Sequence, residues 1–311
     1  MAMVINTNMG SENAIRLLDK SGRSQATSME RLTSGKSINH AKDNAAGLAI
    51  ATGMTAQARG TDQAVKNAND AMSLIQTADG ASEEVVNMLQ RQRELAVQSL
   101  NGTYNAENRS QMDTEFQQLT SEIDRVAATT KFNELPIMAQ MGTKGSMLSA
   151  VASDRIMQVG WETGNGGSGR DKIKVSMGNF WTGASGATGV FGQATITAAN
   201  GSKAVVNSAF SKASIATVAA ASQAVMKIDS ALSNIGTLRA KWGALQNRLE
   251  YTTSNLGNVN ENIKAARSRI EDTDYARESA NLARTQVLQQ AGMSMLGQSN
   301  QSGQNVLSLL R

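Results

Sequence analysis

Residues 1–130 and 212–311 are of one kind, and the segment between them is of another. Both ends read as long helices of Ala, Gln, Asn, Ser and Leu, each with an apolar stripe too narrow to be buried alone. A chain so built folds by laying its N-terminal helices against its C-terminal ones, leaving the middle to project outward. The expected fold class is mainly α: long antiparallel helices pair the N- and C-terminal regions in coiled-coil fashion, around a small β-hairpin-rich central insert. That layout suits a building block better than an enzyme with a pocket.

Composition points the same way. Aromatic residues make up 4% of the 311 residues and Pro136 is the single proline, which argues for elongated packing of small side chains over one large core. The net charge is +4, but basic residues are interspersed with acidic ones and form no stripe of the kind nucleic-acid binding needs. Cysteine is absent, which excludes disulfides, thiolate metal sites and cysteine nucleophiles. No apolar run approaches the roughly 20 residues of a membrane span. The opening AMVINTNMG lacks the basic and apolar regions of a cleavable signal, so export without such a signal is expected.

Along the chain, Ile15, Leu18, Gly22, Ala26, Met29 and Leu32 form a thin helical stripe that Gly35 ends. A second helix is expected over about 44–100. Its seam has Val65, Met72, Val86 and Leu100 with Ala68, Ile75, Leu89 and Ala96 as companions, interrupted by polar Asp79, Ser82 and Arg93. Such interruptions leave helix packing less uniquely specified than an all-apolar seam does. Asn101-Gly102 marks a turn, and a third helix follows over 106–129, ended by 131–136. Residues 137–210 hold 13 of the 27 glycines, and short strands are expected at 156–159, 173–175 and 194–197. From 213 to 270 a near-heptad stripe runs through Val218, Val225, Leu232, Trp242, Leu249, Leu256, Ile263 and Ile270, with Ala221, Ile228 and Ile235 as companions. A helix of that length spans roughly 85–90 Å and only another long element could cover it. Beyond Glu278 no acid occurs, and Ala280, Ala283, Val287, Ala291 and Met295 share a helical face.

Catalytic chemistry finds little to use. Gly35-Lys36-Ser37 lacks the earlier glycine of a phosphate-binding loop, since Glu30 stands there, and reads as a helix-ending turn. His40 is the only histidine, so no two-histidine metal site or serine–histidine triad can be assembled. Glu83-Glu84 and the acids of residues 270–274 read as solvated helix faces or a capping region. Asn101-Gly102-Thr103 fits an N-glycosylation pattern, and Ser and Thr of 137–210 are candidates for O-glycans. Catalytic, cofactor-binding and metal-ligating residues are expected to be none.

Several long blocks carry a resemblance. They are MAMVINTN, ERLTSGKSINHAKDNAAGLAIA, NANDAMSLIQTADGASEEVVNMLQRQRELAVQS and EIDRVAATTKFN near the start, then WGALQNRLEYTTSNL and ARSRIEDTDYARESANLARTQVLQQAGMSMLGQSNQSGQNVLSLLR near the end. Over about 1–135 and 215–311 the chain resembles bacterial flagellin, with MQVGWETG and DKIKVSMG looking like that family's inner hairpins. It departs at Lys36-Ser37, where the family usually has Leu-Arg.

The resemblance implies a structural subunit that polymerises into the hollow helical flagellar filament for swimming. It implies three parts: an inner coiled-coil layer from 1–44 and 271–311, a long-helix layer with small hairpins from 45–180 and 205–270, and a short outward-facing insert at 181–204. Filament-core packing then falls to Ile15, Leu18, Met29, Leu32, Ala283, Val287, Ala291, Met295, Val306, Leu307 and Leu310. Gln90, Arg91, Glu94, Leu95 and Glu115 match a surface used for axial packing and, in flagellins that it senses, for recognition by toll-like receptor 5. Further partners implied are other copies of the chain, an export chaperone on the C-terminal segment, and the filament cap and hook-junction proteins. Delivery is through the flagellar type III export apparatus, to an extracellular filament. Competing readings are a hook–filament junction protein, which shares the terminal helices, and a surface adhesin using the central insert.

Overall fold

The computed structural model describes residues 8–138, 154–161, 171–178, 180, 194–197, 203–206 and 213–309. Among them the chain forms five helices: α1 (Met9–Ser34), α2 (Ala45–Leu100), α3 (Ala106–Thr129), α4 (Val218–Glu271) and α5 (Tyr275–Leu309). Three antiparallel hairpins pair β1 (Lys131–Phe132) with β2 (Leu135–Pro136), β3 (Asp154–Gln158) with β4 (Lys172–Ser176), and β5 (Ala194–Thr197) with β6 (Lys203–Val206). The mainly α class and the pairing of the two ends are as the sequence predicts. Residues fall into two compact units, Met1–Arg59 with Val259–Arg311, and Gly60–Asn258, so that α2 and α4 each contribute to both.

In the first unit α1 starts earlier than its apolar stripe, because the Asn8 side chain accepts from the Ser11 N–H and caps the free amides there. It ends at Gly35, whose φ of 71° is the left-handed cap geometry that glycine adopts most easily. α1 runs antiparallel to α5: Ser28 Oγ donates to Glu278 Oε1 (2.6 Å), Ser21 Oγ to the Thr285 carbonyl (3.1 Å) and Asn8 Nδ2 to the Ser299 carbonyl (3.3 Å). Where the helices turn, the chain adds a strand-like clasp: the Ser37 N–H donates to Glu271 O (2.7 Å) and the Thr273 N–H to Gly35 O (2.9 Å). Lys36 Nζ meets Glu271 at 2.5 Å.

Here the observed packing departs from the expected stripe. The α1 face turned to α5 includes Leu18, Ser21, Gln25, Ser28 and Leu32, while Ile15 and Met29 are 54% and 50% exposed. On α5 the inward residues are Glu278, Leu282, Thr285, Gln289, Gly292 and Leu296. The stripe of Ala280, Ala283, Val287, Ala291 and Met295 looks outward. The intrachain contact thus mixes Leu18, Leu32, Leu282 and Leu296 with hydroxyls that bond across it from Ser21 and Ser28. A Cβ at Gly292 would already sit 3.2 Å from Leu18 Cδ1.

In the second unit every third or fourth residue of α2 from Thr61 to Ser99 is buried, in a heptad alternation kept without a break. The core line is Ala64, Ala68, Ala71, Ile75, Ala78, Val85, Leu89 and Ala96, and the expected Val65, Met72, Val86 and Leu100 only flank it, half-buried. Small residues win because they let the backbones approach. Asp79 and Arg93 are likewise not in the seam: Asp79 pairs with Arg239 (2.6 Å) and Arg93 with Asp229 (2.7 Å). These two pairs set α2 and α4 antiparallel. The polar seam residues are Thr61, Ser82, Gln92 and Ser99.

α4 buries Ala221, Ala224, Ile228, Ala231, Ile235, Trp242 and Leu249, whereas Val218 is exposed. The 213–217 segment leading into it is pinned: Ser99 Oγ donates to Ile215 O (2.6 Å), Gln117 Nε2 to Ala213 O (2.7 Å), and Asp113 accepts from the Ile215 N–H (2.7 Å). Hairpin β3–β4 closes the core through Ile173 and Val175, and Trp242 Nε1 donates to the Ser176 carbonyl at 2.9 Å. After α3 the chain forms β1–β2, with a two-residue turn at Asn133 (φ 48°) and Glu134 (φ 64°) in place of a simple helix end. β6 was likewise not legible. The expected insert 181–204 lies largely outside the described residues.

Candidate interaction surfaces

Two surfaces gather the residues singled out from the sequence. The first is on the second unit, where α2 and α3 lie side by side. Arg91 Nε donates to Glu115 Oε1 at 2.9 Å, and Arg91 Nη1 to Glu94 Oε2 at 3.1 Å. The guanidinium is held above its ordinary pKa, first by the Glu115 hydrogen bond and then by that of Glu94. One cation thus presents itself between two carboxylates, all three exposed, on a helix pair whose relative position is fixed from below. The fixing is done by Gln92: its Nε2 donates to Phe116 O (3.1 Å) and Thr120 Oγ1 (2.8 Å) inside the core.

Gln90 is exposed alongside and shares a shallow groove with Arg93, Glu94, Val97 and Gln98. Leu95 does not belong to this surface: it is buried in the core beneath it. Val97, nearly half exposed, is the apolar group the groove does offer, and sequence spacing did not single it out.

The second surface is the outward side of α1 and α5. Ile15 and Met29 lie on α1, with Leu17 also exposed there; Val287, Leu288 and Met295 are 67%, 55% and 65% exposed on α5, beside exposed Ala283 and Ala291. Leu18 and Leu32 are half-buried in the α1–α5 contact. Leu17 and Leu288 were missed; Leu288 lies seven residues before Met295, a spacing that would have found it. The side chains of Val306 and Leu307, and the whole of Leu310, lie outside the described residues.

The remaining polar residues have structural partners. Lys36 serves the clasp, Glu83 reaches Arg239 at 3.5 Å, and Asp274 Oδ1 caps α5 by accepting from the Ala276 N–H (3.0 Å). His40 Nε2 stands 2.9 Å from Glu30 Oε1. Asn101 lies in the exposed α2–α3 turn. Among the described residues no helix is long and apolar enough to cross a membrane.

Residues 5–143 match the Bacterial flagellin N-terminal helical region, and residues 225–310 match the Bacterial flagellin C-terminal helical region. Flagellin B of Vibrio cholerae is 36% identical over 380 residues, with 100% of both chains covered. A flagellin of Halalkalibacterium halodurans is 38% identical over 309 residues, covering 99% of this chain and 100% of that one. A solved structure from Vibrio parahaemolyticus, assigned as a flagellar hook-associated protein, shares the fold alone: its TM-score is 0.53 at 14% identity, over 74% of this chain and 100% of that one.

Proposed function

This chain belongs to the bacterial flagellin family and is a subunit of the flagellar filament; from that premise we propose a division of labour along it. Residues 1–44 and 271–311 form the inner layer of the filament. Residues 45–180 and 205–270 form the surrounding long-helix layer, and 181–204 face outward. The observation that carries this reading is the disposition of α5. Its face toward α1 combines Leu282 and Leu296 with polar and small residues, and the apolar residues Val287, Leu288, Ala291 and Met295 are left for other copies. A head-to-tail contact that does not close on itself generates an open helical polymer. A chain lacking 279–311 should elongate filament seeds poorly or give fragile filaments; filaments of normal stability from it would overturn the assignment.

The Arg91, Glu94 and Glu115 cluster, with Gln90, is the axial contact between subunits and has the further capacity to be recognised by toll-like receptor 5. Arg91 supports this with a planar donor fork held by two carboxylates, ready to exchange them for a partner's. Arg91→Ala should weaken both axial packing and receptor signalling. Signalling at the level of the unaltered chain would remove the receptor from the account.

The family is structural, and the work assigned to this chain is mechanical. Its filament is extracellular; export without a cleavable signal, a chaperone on the acid-free segment after Glu278, and addition beneath a cap next to the hook-junction proteins complete the reading. The junction and adhesin alternatives are not supported: full-length identity lies with flagellins.

A further inference from the structure

The outward side of α1 and α5 is rich in one reactive group. Among the described methionines, those with the most exposed side chains are Met9 (63%), Met29 (50%), Met293 (64%) and Met295 (65%), all four on these two helices. Met138 and Met177, in the core of the other unit, are 1% and 4% exposed. An unbranched thioether is a good choice for a surface that packs against copies of itself, because it is apolar, polarisable and fits several neighbouring shapes. It is also the one apolar side chain that mild oxidants convert into a polar one.

We propose that Met9, Met29, Met293 and Met295 make the unassembled chain a redox-sensitive subunit. Their oxidation by a peroxide blocks incorporation into the filament, and incorporation in turn shields them. The proposal rests on the reading that this side of α1 and α5 packs against other copies. In the reaction a sulfur lone pair attacks one oxygen of hydrogen peroxide and the O–O bond breaks. That oxygen stays on sulfur as the sulfoxide and gives its proton to the departing hydroxide, which leaves as water, and the sulfur is oxidised by two electrons. A sulfoxide oxygen turned into an apolar contact between copies has no donor there, so the oxidised face is better left in water. Each of the four is at least half exposed, so an oxidant reaches it from solvent. Met295 shares a stripe with Val287, Leu288 and Ala291, and its modification marks the face that α5 does not use within the chain.

The test treats monomeric protein and finished filaments with dilute hydrogen peroxide, maps sulfoxides by peptide mass spectrometry, and measures elongation from filament seeds. In the monomer the four sites should oxidise at least about tenfold faster than Met138 and Met177, and in filaments they should be protected. Elongation by the treated monomer should fall by about tenfold or more, and treatment with methionine sulfoxide reductases should restore it. A chain carrying Met9→Leu, Met29→Leu, Met293→Leu and Met295→Leu should show the same elongation before and after peroxide, whatever its starting rate, whereas Met226→Leu should give no protection. Unimpaired elongation by fully oxidised monomer, or no recovery with the reductases, would overturn the proposal. If the four-site variant does not elongate at all, the reductase arm on the unaltered chain decides. Failure of untreated protein to elongate seeds would instead strike the filament reading itself, so the two failures are told apart.

Discussion

At the turn between α1 and α2 the Asp43 carboxylate accepts from the backbone N–H groups of His40 (2.9 Å) and Asn39 (3.2 Å). These bonds, the one from His40 foremost, hold its pKa below the ordinary carboxylate value against a smaller opposing effect of desolvation. A carboxylate whose folded pKa is depressed stabilises the fold above its unfolded pKa, and that contribution is lost as pH falls through the folded value. The turn should therefore loosen only below about pH 4. Amide exchange at Asn39 and His40, corrected for intrinsic rates, should show this fall in protection, and Asp43→Asn should flatten it; identical pH curves for the two proteins would contradict the argument. Burial decides a second case at this scale. Leu95→Ala empties a core site and should cost about 2–5 kcal/mol in denaturant unfolding. Arg91→Ala, on an exposed pair four residues away, should leave the unfolding midpoint nearly unchanged. A loss of receptor signalling in a Leu95 variant would then report instability as much as recognition, and equal unfolding midpoints for the two variants would refute this division.

Among the elements, α2 shows what a sequence does and does not disclose. Its length, its heptad period and its partner α4 follow from the spacing of apolar residues. The phase does not follow from side-chain size: the half-buried Val65, Met72 and Val86 are larger than Ala64, Ala68, Ala71 and Ala78, which occupy the seam. Close approach of the helices selected the smaller residues, and a pattern read for bulk points one position aside. Asp79 and Arg93 looked like interruptions for the same reason, yet they tie the edges of the seam to Arg239 and Asp229. The Asn133-Glu134 turn was hidden because it places a non-glycine residue at both positive-φ positions. Gln92, the large polar residue inside the seam, invites a direct measurement. Its Oε1 is buried without a hydrogen-bond partner, while Nε2 serves acceptors on α3. Exchanging both ends for an apolar side chain of similar size leaves no buried donor unpaired, so Gln92→Leu should change stability by less than about 1 kcal/mol, in either direction. Gln92→Ala, which leaves a void, should cost more. A Leu variant destabilised by well over about 1 kcal/mol relative to the unaltered chain would show that the amide holds α2 and α3 in register.

At the scale of the whole molecule, the pairing of the two ends was legible because neither could bury its stripe alone, and the structure shows which part of that need the chain meets for itself. α1 and α5 join through Ser21, Ser28, Glu278 and Thr285, and through the clasp at Lys36, Ser37 and Glu271. Of the apolar residues that suggested the pairing, Leu18 and Leu32 enter it, while Ile15, Met29, Val287 and Met295 are left uncovered. Sequence spacing alone could not separate these faces, since both recur every three or four residues along the same helix and only the partner's position tells them apart. The central claim is that the uncovered face is covered by other copies in the filament. A helical reconstruction by electron microscopy at side-chain resolution tests it most directly. The account predicts Val287, Ala291 and Met295, with Ile15 and Met29, packed against α1 or α5 of neighbouring subunits; a filament in which these side chains face open solvent would contradict it.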